Sequence, residues 1–391
     1  MVPKLAPLAL AATAFLVACD EEEPAPVPKT LEEPVGPHDV SVLFPMPAVL
    51  GQRTSLIGAD AAGARGTLLP EATYDALPPV DAVLSNVQSY PLLRVVSARF
   101  DPCFPGLGEP CQNQIRLVMQ PVTIDKTGEK LAANDAAVHL FYSLSREELE
   151  AVVRRVVDLR KASGIETDAG PLGVHPALLS EGVEGAFASG FRDALLQYAG
   201  DKNLVRVTFM ALRGAADDWR FGGFDIVDGA MVPMEIPGLA GTYEQSFVNA
   251  DQAGTVFDKA SITPESTSAD DFSLFLYPAK VSAATLEARQ AAYGALLRVE
   301  NPERHSPATI DCVTCHIAPG TRAFAERELG FSAVGSPDAF ASGDEPPGKT
   351  VFGTQMLRAF GVFRSEPAIA QRTVNETEAV VAYVNDQIVG D

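Results

Sequence analysis

Residues 312 to 316 read Cys-Val-Thr-Cys-His, and these types at this spacing define a chemistry. Two thiols three residues apart lie on one side of a single helical turn. Such a pair can add to the two vinyl groups on one edge of a porphyrin. The imidazole of His316 then points at a central iron as proximal ligand. Cys-x-x-Cys-His is accordingly the attachment signature of a c-type haem, held covalently and unable to dissociate. Three other chemistries use part of the pattern. A thioredoxin-type redox pair opens a helix within a βαβ unit, and no such unit is legible here. A zinc site needs a second Cys/His pair at zinc spacing, and none is present in the sequence. A plain structural disulfide is the third.

The remaining cysteines are Cys19, Cys103 and Cys111. Cys19 closes an N-terminus that reads MVPKLAPLALAATAFLVAC. Lys4 is a one-residue basic start, and Leu5 to Val17 is an apolar run of thirteen residues. As a helix that run reaches about 20 Å, short of the roughly 30 Å of a bilayer core. It therefore reads as a signal peptide rather than a span. Leu16-Val17-Ala18-Cys19 resembles the lipobox of bacterial lipoproteins. The resemblance implies cleavage after residue 18 and acylation of Cys19, with two or more chains giving a stable anchor. Residues 19–38, acidic and Pro-rich, would be the lipidated tether, too polar to bury a core. Cys103 and Cys111 flank a turn-rich loop, DPCFPGLGEPC, and suit a local disulfide in an exported protein.

Composition narrows the partners. The net charge is -21, which argues against nucleic acid and against direct adhesion to anionic lipid. A basic protein partner is compatible with it. No later apolar run approaches transmembrane length.

Stepping along the chain, residues 39–280 read as an α+β domain. The stretch 38–50 starts with strand-like alternation that Pro45 and Pro47 break; strands are expected at 92–100, 114–124, 138–144, 204–212 and 272–277, with a hairpin of 219–227 and 230–236 around Asp228-Gly229. Ser145 and Glu148 have capping-box spacing before a helix that Gly164 ends. A second helix is expected over about 177–199. Helices interrupt the strands without regular alternation, which suits α+β rather than a doubly wound sheet. This domain carries no nucleotide-binding Gly loop, no Gly-x-Ser-x-Gly and no His-Glu-x-x-His. His139, in an apolar strand, and His175, before Pro176, have the chemistry of ligands but read as structural histidines. Asp217 and Asp218 beside Trp219 read as a polar turn. Met46, Met119, Met210, Met231 and Met234 read as core fillers.

Residues 281–391 form the expected haem domain, small and mainly α-helical. Thr285 to Val299 reads as a helix closed by Pro302. Ser306-Pro307 is a helix start, which would put Cys312 and Cys315 inside a short helix beginning at about 307. Thr373 to Ile388 reads as the last helix. From here the chain resembles a class I cytochrome c, a family with a haem motif on its first helix, a downstream Met ligand on a loop and a C-terminal helix across the first. The resemblance implies Met356, forty residues after His316, as distal iron ligand. His305 is the alternative distal ligand. The stretch before the motif, Ala308-Thr309-Ile310-Asp311, lacks the Gly and the aromatic usual there. Arg322, Lys349, Arg358 and Arg364 are candidates to pair the haem propionates.

The expected whole is a lipid-anchored monohaem c-type cytochrome facing the periplasm. It would pass single electrons to a redox partner protein or a membrane electron-transport component; a catalyst in the α+β domain, fed electrons by the haem, is left open. A haem-based ligand-binding or sensory lipoprotein, with an open distal site, is the alternative.

Overall fold

The structure, a computed structural model, describes residues 34–102, 112–168, 170–213, 218–250, 254–257, 270–340 and 357–388. In chain order its strands are β1 (Ser41–Leu43), a small ribbon of β2 (Ala62–Gly63) and β3 (Gly66–Thr67), β4 (Leu93–Asp101), β5 (Asn113–Ile124), β6 (Leu131–Ala133) and β7 (Ala136–Leu144). They continue with β8 (Leu204–Arg213), β9 (Asp218–Val227), β10 (Ala230–Pro233), β11 (Glu244–Ala250), β12 (Gly254–Phe257), β13 (Phe360–Phe363) and β14 (Glu366–Ile369). A ten-stranded sheet runs β1-β4-β5-β7-β8-β9-β11-β12, with β6 beside β5 and β10 beside β9. Its strand pairs are antiparallel. The class is α+β.

The helices are α1 (Pro37–Val40), α2 (Glu71–Asp75), α3 (Asn86–Ser89), α4 (Arg146–Ala162), α5 (Pro176–Glu181), α6 (Ala186–Tyr198), α7 (Pro278–Ala283), α8 (Leu286–Glu300), α9 (Cys312–Leu329) and α10 (Gln371–Gln387). None among the described residues is long and apolar enough to cross a membrane. Side-chain alternation sorts them onto the two sheet faces. Ile115, Leu117 and Met119 of β5 join the core that holds Val152 and Val156 of α4 and Phe187 and Phe191 of α6. Val118, one residue away, joins a second core with Met210, Phe221 and Phe247 of the sheet, Leu296 and Leu297 of α8, and Val313 and Ile317 of α9. The helix that begins with the Cys-x-x-Cys-His sequence thus packs on the sheet through a shared apolar core. The chain is built into the fold from Val35, whose N–H donates to Asn385 Oδ1 at 2.8 Å and whose carbonyl accepts from Asn385 Nδ2 at 3.1 Å.

Local signals set most boundaries. Ser145 Oγ accepts from Glu148 N at 3.2 Å and Glu148 Oε2 accepts from Ser145 N at 2.9 Å, the reciprocal bonds that start α4. Asp228 (φ 50°) and Gly229 (φ 78°) both sit in the left-handed region that a tight hairpin turn requires. Four expectations change. The strand-like start of 38–50 is α1 followed by the three residues of β1. The helix expected over 177–199 is two helices, α5 and α6, broken at Gly182 (φ 75°). Residues 272–277, expected as a strand, hold a 3-10 helix at Ser273–Leu276. There Phe272, Phe275 and Leu276 are the buried side chains, a helical spacing rather than an alternating one. Finally, the helix expected from 307 begins at Cys312, because Asp311 rather than Ser306 is its cap.

Candidate haem site

Asp311 positions the motif. Its side chain accepts from Thr314 N at 2.9 Å, and its carbonyl accepts from Cys315 N at 3.1 Å. Cys312 to His316 therefore fill the first turn of α9. The sheet holds that turn from below: the N–H of Val313 donates to Oε1 of the buried Gln245, on β11, at 3.0 Å.

Cys312 and Cys315 are free thiols, half-buried against the second core. Burial, with Asp311 beside it, pushes the Cys312 thiol up to about 12. Burial also raises Cys315. An activated redox thiolate requires the opposite shift. Among the described residues there is no group of three or more His, Cys, Asp and Glu arranged to hold a metal ion.

His316 Nδ1 lies 2.5 Å from the carbonyl oxygen of Leu357. A carbonyl only accepts, so the proton is on Nδ1 and the Nε2 lone pair is left for a metal. Burial lowers the pKa of His316, favouring the neutral, ligating imidazole. Phe221 packs at 4.8 Å between ring centroids.

A second histidine faces this one. His139, at the centre of β7, has Nδ1 at 3.0 Å from Thr208 Oγ1 on β8. Its ring centroid is 6.3 Å from that of His316, with the planes 22° apart. Burial, then His316 and Arg116, push its pKa down to about 3. No described residue bonds Nε2 of either ring. The two histidines line one small cavity of about 10 Å³ with Val118, Ala137, Met210 and Arg358. That is room for one water, so a porphyrin would have to extend beyond it. The half-buried cysteines lie on one side of His316 in the motif, and residues 341–356, outside the described residues, lead directly into Leu357.

The other expected site residues scatter. His305 Nε2 is 3.0 Å from Asp270 Oδ2 and its Nδ1 is 3.4 Å from Thr309 Oγ1, and it does not line the cavity. Met356, Lys349, Cys19, Cys103, Cys111 and Asp217 lie outside the described residues. Arg322 is bonded to Glu300 at 2.7 Å and Glu326 at 2.8 Å. Arg364 lies over the Phe363 ring, 5.2 Å from its centroid. Arg358 is buried, pairs with Asp135, and lies 4.5 Å from the Phe363 ring centroid. Among the described residues its Nε has no hydrogen-bond partner, and burial with Arg364 nearby lowers its pKa to about 10.

The residues present fit haem c by donor chemistry. There are two free thiols at attachment spacing, a neutral imidazole with Nε2 available, and a buried guanidinium with an unpartnered N–H. Sequence reasoning singled out Cys312, Cys315, His316 and Arg358 as candidates. It read His139 as a structural histidine, because its neighbour His316 lies on a helix far along the chain, and it did not mark the Leu357 carbonyl, which no side-chain pattern signals. Compared with protein-family models, curated proteins and solved structures, the chain matches none of them.

Proposed function

We propose that this chain is a membrane-anchored, monohaem c-type cytochrome lipoprotein that transfers single electrons on the periplasmic side of a bacterial membrane. One observation carries the reading. The Cys-x-x-Cys-His turn presents two free thiols and a histidine whose Nδ1 is bonded to a main-chain carbonyl, 2.5 Å away. Bound haem would supply a reversible one-electron couple. Cys312 and Cys315 would hold its edge through two thioethers. His316 would ligate through Nε2, its ring orientation and tautomer set by Leu357. Arg358 would offer its unpartnered N–H to a propionate.

The lipobox-like end at Cys19 supports the anchor, and the acidic tether supports a folded part held off the membrane. The partner is a redox protein or a membrane electron-transport component, and the net charge of -21 favours one with a basic docking face. The class I resemblance supports a haem-bearing segment over 281–391.

Expression in a host that matures c-type cytochromes tests this. The expected product is red, gains the mass of one haem, and keeps its colour through acid-acetone extraction. C312A/C315A removes the covalent colour, and Cys19→Ser moves the protein from the membrane to the soluble fraction. A colourless wild type with no added mass beyond lipid ends the reading. Rapid carbon monoxide binding by the reduced protein would instead favour a ligand-binding or sensory lipoprotein.

A further inference from the structure

We infer that His139 is the second protein ligand of the haem iron, on the face opposite His316. The inference rests on the haem reading and goes beyond it, since neither class I resemblance nor sequence spacing assigns His139. It comes from geometry. A metal–imidazole bond is about 2 Å, and a ring centre lies about 1 Å behind its ligating nitrogen. An iron between two facing imidazoles therefore holds their centroids about 6 Å apart. The centroids of His139 and His316 are 6.3 Å apart, with planes 22° from parallel.

Both rings are held in the same way. Each has its Nδ1 engaged, His316 on the Leu357 carbonyl and His139 on the Thr208 hydroxyl. Among the described residues neither Nε2 has a bond, and both rings border one cavity. The supports are rigid. His139 pairs with Val118 on β5 and Thr208 on β8, in the middle of the large sheet. His316 sits on a helix capped by Asp311 and tied to the sheet by Gln245. Sites built on paired strands and capped helices hold ligand geometry better than loops do. Thr208 is a positioning residue: its hydroxyl fixes the ring rotation that aims Nε2.

The competing ligands are less well placed. Met210 lines the same cavity as a buried side chain, without an anchored donor. His305 spends both ring nitrogens on Asp270 and Thr309. Two imidazoles saturate the iron and leave no position for a gas, so the ligand set matches an electron carrier. Without a thioether ligand the reduction potential sits below that of a His/Met centre.

The test uses the full-length holoprotein. The wild type should be low-spin in both redox states, lack the weak long-wavelength sulfur-to-iron band, and bind carbon monoxide slowly. His139→Ala should become high-spin and bind carbon monoxide rapidly, and added imidazole should restore the low-spin spectrum. His139→Met should gain the sulfur band and a raised potential. Thr208→Val should keep a six-coordinate iron but shift its electron paramagnetic resonance g-values. If His139→Ala fails to accumulate, His139→Gln and the g-values of the wild type, diagnostic for paired imidazoles, give the same reading. A His139→Ala holoprotein with the wild-type spectrum and potential overturns the inference while leaving covalent haem standing. So does loss of the low-spin spectrum in Met210→Leu or Met356→Leu with His139 intact. A wild type without covalent haem removes both the inference and the function it rests on.

Discussion

His175 caps α5 through its ring, Nδ1 accepting from Ala177 N at 3.1 Å. Its Nε2 is buried without a partner, and the ring stacks on Phe187 with centroids 4.0 Å apart. Protonation would put an unsolvated charge against an aromatic face. Burial, then the neighbouring His38, lower its pKa from 6.5 to about 3. The unfolded chain takes up this proton below pH 6.5, and the folded one does not until about pH 3. The stability tied to the neutral ring is therefore full above the unfolded value and drains as pH falls towards 3. One such group contributes a slope of up to about 1.4 kcal/mol per pH unit. Urea unfolding of wild type and His175→Asn should show it. Asn retains an N-cap acceptor, so the variant should be less stable near neutrality, from lost stacking, yet have the flatter acid slope. His139 is the same in both proteins and cancels in the comparison. Parallel slopes would mean that His175 is solvated in the folded state.

At the level of elements, α10 is clamped by charge rather than by caps. Arg372 Nε binds Glu376 Oε1 at 2.8 Å, Arg99 of β4 pairs with Glu376 as well, and Arg99 Nε binds Asp101 at 2.6 Å. Arg372 also donates to the carbonyls of Val299, at the end of α8, and of His305, before the motif. Burial alone would raise Glu376, but Arg99 and Arg372 outweigh it and hold the carboxyl at about 2. Its stability is present above pH 4.5 and lost as pH falls through 2, a contribution on the order of 3 kcal/mol. Glu376→Gln should lower the denaturation midpoint at pH 7 and weaken the acid-induced loss between pH 4.5 and 2; an unchanged midpoint would show that the guanidiniums find other partners. Elements like α4 were legible because one local signature, Ser145 with Glu148, settled the start. Residues 272–277 misread because FSLFLY is apolar at both periods, and only contact with α8 and Phe331 selects one. The α9 start was misplaced because Ser306-Pro307 and Asp311 are both lawful caps. Ser306 instead closes a local turn with Thr309, whose N–H reaches its carbonyl at 3.0 Å. The motif itself was legible to the residue. His139 was not, since its role depends on a register that brings β7 under α9 across the chain.

For the whole molecule the consequential feature is where the second core lies. Sequence order suggests a boundary near residue 280, with α8, α9 and α10 after it. Yet Leu296, Leu297, Val313, Ile317 and Ala318 are buried in one cluster with Val118, Met210, Phe221 and Phe247, which come from strands before that boundary. The Cys312–His316 turn is likewise bonded to Gln245, through Val313 N. Without the sheet, the four large ones among them, Leu296, Leu297, Val313 and Ile317, lose one wall of the core that buries them. At about 1.5–3 kcal/mol for each large aliphatic side chain buried, the loss rivals the 5–15 kcal/mol that holds a typical domain together. A fragment spanning 281–391, expressed with haem maturation, should therefore lack a cooperative thermal transition, and any haem it acquires should be five-coordinate or bound by stray ligands. Adding residues 34–280 in trans should restore the low-spin spectrum by supplying both the core wall and His139. If the fragment alone melts cooperatively and carries a six-coordinate haem, the C-terminal segment is an independent cytochrome domain. The sheet would then be an attached module rather than the other half of the haem pocket.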